Sequence, residues 1–260
     1  MSIENFKEFL LRNDLEEYFN SELMEQLELT QSDQKSLIES YNRQMLKYVQ
    51  DFKKTFENEK KARLELENTY FETIAALAKT IERRDSYTGG HADRVTFFAT
   101  LTADDLGLDH PTKENVKMAA LLHDIGKISI PDAILSKGSK LTFPEFEIMK
   151  THPQNGIEII KNIHSMKNLI PAILSHHEHF NGKGYPEGLC GKEIPLGGRI
   201  IAVVDTFDAL TSSRSYRKGS SPEAGLAEIQ RCSGTQFDPE IVQAFSRVFH
   251  SGKIKRTSAD

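Results

Sequence analysis

The residues best suited to chemistry lie near the middle of the chain, in the stretch Ala119-Ala-Leu-Leu-His123-Asp124-Ile-Gly-Lys127. Imidazole nitrogens and carboxylate oxygens both bind transition metals, and one aspartate has two oxygens that can reach two ions. On a helix, His123 and Asp124 would point about 100° apart, so they could serve neighbouring ions. Lys127 follows on the same face. The pattern predicts a metal site beside a cation, although an isolated His-Asp pair is more often a helix end with a capping histidine.

Other side chains that bind metals stand where apolar segments begin or end. They are His91, His152, His176, His177 and Asp205, with Asp208 one turn further on. The segment from Pro144 predicts a helix that ends at His152, because Pro153 bars an easy continuation. The helix that contains the central motif is predicted to run from Thr112 to Lys127.

The stretch from Ile200 to Thr211 has two interpretations. Its β-branched residues could form a buried strand. We favour a helix, because every other predicted element is helical and a single strand would have no partner. On that helix Asp205 and Asp208 share a face.

Composition limits the classes of function. The chain has 260 residues, of which 38% are hydrophobic and 27% charged, and this length suits one large domain or one domain with an appendage. The formal net charge is −5. This charge argues against a general binder of nucleic-acid polymers, because that role usually needs an electropositive surface.

The cysteines and the apolar runs indicate the compartment. Cys190 and Cys232 show neither a metal-binding nor a redox spacing, which suits a reducing environment. The N-terminus is amphipathic and charged, so we expect no signal peptide. No apolar run is long enough to span a bilayer. We therefore expect a cytoplasmic protein without a membrane span.

We predict four parts along the chain: a small helical segment over 1–36, a linker helix over 37–72, the main domain over 73–250 and a flexible tail over 251–260. The linker has no proline or glycine, and its apolar residues alternate in steps of three and four, namely Ile38, Tyr41, Met45, Tyr48 and Phe52. This spacing predicts about two heptads of coiled coil. The helix could pair with its twin in a homodimer or pack on its own domain, and the pattern does not decide between them.

Taken together, the motifs resemble the HD-GYP family of metal-dependent phosphodiesterases, a subgroup of the HD superfamily. The resemblance extends from about Ile74 to Phe249. Five motifs carry it: Arg84-Asp85 with His91 and Arg94, His123-Asp-Ile-Gly-Lys127, His152-Pro153, His176-His-Glu178 with Asn181-Gly-Lys-Gly-Tyr-Pro186, and Asp205-Thr-Phe-Asp-Ala-Leu-Thr211. The combination is far more specific than any one of the motifs.

The resemblance implies an all-α fold, with an HD-type helical bundle preceded by the linker helix and the small N-terminal segment. It implies hydrolysis of cyclic di-GMP to pGpG, with further hydrolysis to GMP left open, and two divalent metal ions, iron or manganese. The implied metal ligands are His91, His123, Asp124, His152, His176, His177 and Asp205, with Asp124 bridging the ions. Two such ions would lower the pKa of a shared water and stabilise the charge on the phosphorus.

The resemblance also assigns roles around the metal site. Lys127 would contact the scissile phosphate or the leaving group. Substrate contacts are expected from the loop that gives the family its name and from a later cationic cluster: Lys183, Tyr185, Arg214 and Arg217. Asp85 and Asp208 would orient ligand histidines through hydrogen bonds.

Tyr87 is a departure from the family pattern. Some members have a glutamate four residues before the first histidine, where it helps to bind a third metal. Tyrosine is a poor replacement for that carboxylate, so we predict a site with two ions.

Two other functions stay open from the sequence. The chain could be a nucleotide-binding sensor that signals through its N-terminal helix with little turnover, or a phosphodiesterase for another cyclic dinucleotide. An eroded metal site would favour the sensor, but all seven implied ligands are present. Specificity among cyclic dinucleotides depends on the shape of the pocket.

Overall fold

The computed structural model of the chain describes residues 31–82, 84, 90–212 and 219–254. Over these ranges the regular structure is helical, with no β-strand and only isolated bridges such as that between Asn181 and Cys190. The predicted all-α fold is therefore confirmed. None of the described helices has both the length and the apolar character needed to cross a bilayer.

Ten α-helices and three short 3-10 helices follow one another in the described residues. They are α1 Gln31–Glu82, α2 His91–Asp105, α3 His110–Leu122, the 3-10 helix Ile125–Ser129, α4 Asp132–Leu135, α5 Phe143–Met149, α6 His152–Ile160, the 3-10 helix His164–Leu169, α7 Ile170–Ser175, the 3-10 helix Gly191–Glu193, α8 Leu196–Thr211, α9 Pro222–Arg231 and α10 Pro239–His250. Some of the first turns are capped by side chains. At α3, for example, the Asp109 side chain accepts a hydrogen bond from Thr112 N, which satisfies one of the free N–H groups at the helix start.

The chain divides into two compact units, Met1–Thr69 and Tyr70–Asp260. The described part of the first unit belongs to α1, and its apolar stripe is exposed: Ile38, Tyr41, Met45, Tyr48 and Phe52 are all more than half exposed. Pairing of this stripe in a homodimer stays a prediction, as do the four domain limits. The predicted segment 1–36 lies outside the described residues as far as residue 30.

The second unit is built around α8, which packs against α2, α3, α7, α9 and α10. Ile200, Ile201, Val203 and Val204 on α8 are fully buried. A helix surrounded by other helices is apolar on most of its faces, which explains why its sequence also suited a strand. The prediction of a helix here is confirmed.

Two predicted helix ends are wrong. The helix of the central motif ends at Leu122, so His123 follows the helix and Asp124 precedes the next 3-10 helix. The chain turns there because the 3-10 helix packs closely on α6, where a Cβ on Gly126 would lie 1.9 Å from the backbone oxygen of His152. The second error concerns His152, which begins α6 instead of ending α5. Proline lacks an N–H and suits the first turn of a helix, and Pro153 occupies that position.

We expect Gly126→Ala to lower the free energy of unfolding by about 2 kcal/mol or more, because the added methyl group overpacks a backbone contact that cannot move cheaply. Gly138→Ala is the matched control, since an added Cβ at Gly138 meets no atom within 4 Å. Urea unfolding followed by circular dichroism measures both variants. Equal stability of the two variants would contradict the close packing of the 3-10 helix on α6.

Candidate metal centre

Two groups of three side chains lie close enough to hold a cation. The first triad is His91, His123 and Asp205, and the second triad is His152, His176 and His177; within each triad the ligand atoms lie within 4.8 Å of one another. The histidines stand at the first residue of a helix or just after its last residue, and Asp205 lies inside α8. The fold thus brings together the ends of four helices, α2, α3, α6 and α7, and the interior of α8.

Asp124 lies between the two triads. Its Oδ1 is 3.4 Å from His152 Nε2 in the second triad. Its Oδ2 is 3.3 Å from His123 Nε2 and 3.7 Å from His91 Nε2 in the first triad. Each carboxylate oxygen therefore faces a different triad, and all seven candidate ligands from the sequence meet at one place.

The histidines are oriented by hydrogen bonds from their Nδ1 atoms. Nδ1 of His123, His152 and His176 lies 2.6–2.8 Å from the backbone oxygen three residues earlier. A carbonyl oxygen only accepts hydrogen bonds, so Nδ1 carries the proton and Nε2 is the acceptor in the neutral ring. This arrangement is typical of histidines that bind metals through Nε2.

The Nε2 atoms of neighbouring rings face one another inside the site. Nε2 of His152 is 3.2 Å from Nε2 of His176, and Nε2 of His91 is 3.4 Å from Nε2 of His123. Two acceptors at this distance need a proton or a cation between them. The donor set therefore fits a metal ion in each triad.

Burial lowers the pKa of three site histidines, well below the ordinary value in the last two: His152, His176 and His177. For the last two, neighbouring imidazoles lower the pKa further. Neutral imidazole is the form that binds metals. His123 differs, because the carboxylates of Asp124 and Asp205 outweigh the effect of burial and raise its pKa to about 9.

Lys127 is the cation beside the bridging position. Its Nζ lies 2.7 Å from Asp124 Oδ2. Burial alone would raise the pKa of Asp124, but Lys127 and His123 hold that pKa well below its ordinary value. The central carboxylate is therefore ionised and ready to bind cations.

Asp208 fixes the orientation of the His91 ring through a hydrogen bond to Nδ1. Its Oδ2 accepts a hydrogen bond from His91 Nδ1 at 2.7 Å, and Arg94 donates to the same carboxylate through Nε at 2.6 Å and an NH2 group at 3.1 Å. Burial raises the pKa of Asp208, but His91 and Arg94 together hold it below its ordinary value. The contact fits the orienting role expected of Asp208. The sequence predicted no role for Arg94 in binding Asp208, although Arg94 lies three residues after His91 on the same face of α2.

Of the remaining candidate residues, one contacts the site, one does not line its cavity, and four lie outside the described residues. Tyr185 stacks on His177, with ring centroids 4.9 Å apart and planes inclined by 30°. Burial raises the pKa of its hydroxyl. Lys183 is exposed and is not among the described residues that line the site cavity. Asp85, Tyr87, Arg214 and Arg217 lie outside the described residues.

Glu178 belongs to the motif His176-His-Glu178, but the sequence predicted no role for it; in the structure it connects the loop 181–188 to the site. It is 2% exposed, and its Oε1 accepts backbone hydrogen bonds from Glu187 and Gly188 at 2.7 and 3.0 Å. The loop approaches so closely that a Cβ on Gly184 would lie 2.2 Å from His179 N. These contacts hold Tyr185 over its histidine.

We expect Glu178→Ala to destabilise the chain by about 2 kcal/mol, because two backbone N–H groups lose a charged acceptor. Their amides should also exchange hydrogen faster. Glu178→Gln keeps an acceptor oxygen and should retain part of the stability, and exposed Glu187 is the site of the control Glu187→Ala. Unchanged exchange at Glu187 and Gly188 in the Glu178→Ala variant would show that the loop is held by other contacts.

A cavity of about 420 Å³ opens beside the candidate metal ligands. Six of the seven candidate ligands line it together with Lys127, namely His91, His123, Asp124, His152, His177 and Asp205; His176 does not. Apolar side chains also line it, among them Leu141, Phe146 and Met149, together with the polar Lys137, Ser139 and Lys140. A lining that combines ligands for cations with apolar side chains suits an anionic ligand that carries an apolar group.

Comparison with known proteins identifies related chains. Residues 75–241 match the family model described as an HD domain. A cyclic di-GMP phosphodiesterase response regulator, RpfG, from Xanthomonas campestris is 42% identical over 70% of this chain and 49% of its own length. A cyclic di-GMP phosphodiesterase from Thermotoga maritima is 38% identical over 88% of this chain and 63% of its own length.

A third relative carries a different substrate in its name. It is the 3′3′-cGAMP-specific phosphodiesterase 2 of Vibrio cholerae, 36% identical over 75% of this chain and 38% of its own length. The chain thus spans less than two thirds of each of these three relatives. Among solved structures, the V. cholerae phosphodiesterase V-cGAP3 matches with a TM-score of 0.57 at 21% identity, over 71% of this chain and 49% of that one, which supports the helical fold.

Proposed function

Because the chain belongs to the HD domain family, as its resemblance to the HD-GYP subgroup predicted, we propose that it is a metal-dependent phosphodiesterase that hydrolyses cyclic di-GMP to pGpG. The observation that carries the proposal is the position of Asp124, with one oxygen toward each of two histidine-rich triads. Two relatives that match most of this chain's length are named cyclic di-GMP phosphodiesterases.

The site would hold two divalent ions, one in each triad, with Asp124 shared between them. Its ligands mix five imidazoles with two carboxylates, which suits iron or manganese better than magnesium, since magnesium prefers oxygen ligands. Bound divalent ions supply Lewis-acid stabilisation of the phosphodiester charge and lower the pKa of water.

The chain's own residues bind and orient the substrate. The Lys127 ammonium pairs with Asp124 and would stabilise the charge on the scissile phosphate or donate a proton to the leaving 3′-oxygen. Arg214 and Arg217 would bind phosphate oxygens through charge-assisted hydrogen bonds. Tyr185, held on His177, would shield one side of the cavity from water, and Lys183 would contribute positive charge at its rim.

A second candidate substrate is another cyclic dinucleotide. The V. cholerae relative named for 3′3′-cGAMP is 36% identical, close to the values for the relatives named for cyclic di-GMP. The same metal site would cleave either diester, and the difference would lie in how the cavity accepts the bases.

Initial rates with three substrates test the proposal: cyclic di-GMP, 3′3′-cGAMP and cyclic di-AMP, each at equal concentration with the manganese-loaded chain. We expect cyclic di-GMP to be cleaved fastest, with pGpG as the first product. Faster cleavage of 3′3′-cGAMP would show that cyclic di-GMP is not the preferred substrate, while the proposed phosphodiesterase reaction would stand. Binding without cleavage of any of the three would favour the sensor and reject the enzyme.

A further inference from the structure

Four apolar side chains of the cavity lining belong to no candidate metal ligand, and we call them the apolar end: Leu135, Leu141, Phe146 and Met149. Leu141 and Met149 pack on the cluster that contains Leu135, and Lys137, Ser139 and Lys140 line the cavity as well. Tyr185, also in the lining, stacks on His177 of the second triad. The ring of Tyr185 also contacts that of Phe146, with centroids 6.4 Å apart and planes near perpendicular. The Tyr185 ring therefore contacts both the candidate metal ligand His177 and Phe146.

Phe146 is available to a ligand. It is 44% exposed, and α5, which carries it, has no buried residue. A large aromatic side chain that lines a cavity without joining the core gains little for folding. Cavities of this kind are typical sites for the apolar part of a ligand.

The short helix α5 is nevertheless fixed in place. Glu145 accepts a hydrogen bond from Thr142 N at 2.7 Å and pairs with Lys137 at 2.6 and 2.7 Å. At the other end of the helix, Lys150 Nζ lies 5.7 Å from the Phe146 ring centroid and 5.8 Å from that of Tyr185, within cation–π range. These contacts present the Phe146 ring to the cavity without burying it.

We propose that one purine base of the cyclic dinucleotide binds at this end of the cavity by stacking on Phe146, while its phosphate lies at the metal centre. The inference rests on the proposed function, because it takes the substrate from there. A base has a flat apolar face, and aromatic side chains bind such faces by stacking. Phe146 is then a binding residue for the substrate, separate from the metal ligands.

The test compares Phe146→Ala with Phe143→Ala. Phe143 lies on the same helix, is 77% exposed and does not line the cavity, so the control removes the same atoms from the same helix. Isothermal titration of the metal-free chain with cyclic di-GMP measures affinity without turnover. We expect Phe146→Ala to raise the Kd about tenfold, Phe143→Ala to leave it unchanged, and Phe146→Tyr to restore wild-type affinity.

A second measurement tests whether the loss of affinity in Phe146→Ala comes from contacts with the base. p-Nitrophenyl methyl phosphate is a phosphodiester without a nucleobase, and its kcat/KM with the manganese-loaded chain should be the same for both alanine variants. Equal Kd values for cyclic di-GMP in the two variants, no binding by the wild type, or an equal loss with the baseless diester would each overturn the proposal.

The outcomes separate this proposal from the proposed function. If the chain binds cyclic di-GMP through Phe146 but does not cleave it, the base site is supported and the enzymatic function is rejected. If the chain cleaves cyclic di-GMP but Phe146→Ala and Phe143→Ala have the same Kd, the enzymatic function is supported and the base site is rejected.

Discussion

Replacing Asp124 by alanine is expected to lower the turnover of cyclic di-GMP by at least about a thousandfold, because the two proposed ions would lose the ligand that they share and metal catalysis of a phosphodiester contributes several kcal/mol. No other described carboxylate places one oxygen toward each triad. The metal content should fall along with the activity. Initial rates and metal analysis on the same preparation measure both effects.

The control for Asp124 is Asp104→Ala, which removes an exposed carboxylate whose partner is Lys113 at 2.8 Å. Such surface pairs contribute little, so this variant should keep wild-type turnover. Circular dichroism should give the same helical content for both variants. If Asp124→Ala retained wild-type turnover with its helices intact, the bridging role would be wrong.

Asp208→Ala should cost about 3–5 kcal/mol of unfolding free energy, the loss typical when one partner of a buried ion pair is removed. The change takes away the carboxylate that Arg94 and His91 share, and Asp208 itself is 2% exposed. The His91 ring would then lose the hydrogen bond that fixes its orientation. Removal of such a partner lowers metal affinity by about 10- to 100-fold.

Asp208→Asn separates the two effects. It keeps the shape and one acceptor oxygen but not the charge, so its stability should fall between those of the wild type and Asp208→Ala. Urea unfolding gives the stability, and titration with manganese gives the affinity. Wild-type manganese affinity in Asp208→Ala would show that the orientation of His91 does not depend on this carboxylate.

The apolar pattern of the sequence indicated where the candidate histidines lie, because it reveals where helices begin and end. His91, His123, His152, His176 and His177 all stand at or next to a helix end in the structure. The exact ends were harder to predict. The bend at His123 depends on the close contact between Gly126 and His152, which is a property of the packed fold and has no local signal.

Two other features could not be predicted from the sequence. Glu178 acts on backbone N–H groups nine and ten residues away, and backbone donors carry no signature in the side-chain sequence. The role proposed for Phe146 depends on which face of a short helix meets the cavity. Asp208 was predictable because it lies one turn from Asp205 on the same helix, and both contact the His91 ring.

The most direct test of the proposed function is anaerobic turnover of cyclic di-GMP by the chain reconstituted with ferrous iron or manganese, with products separated by chromatography and metal counted on the same sample. We expect pGpG together with about two ions per chain. Bound metal without any product, or full activity with a single ion per chain, would contradict a binuclear phosphodiesterase centred on Asp124.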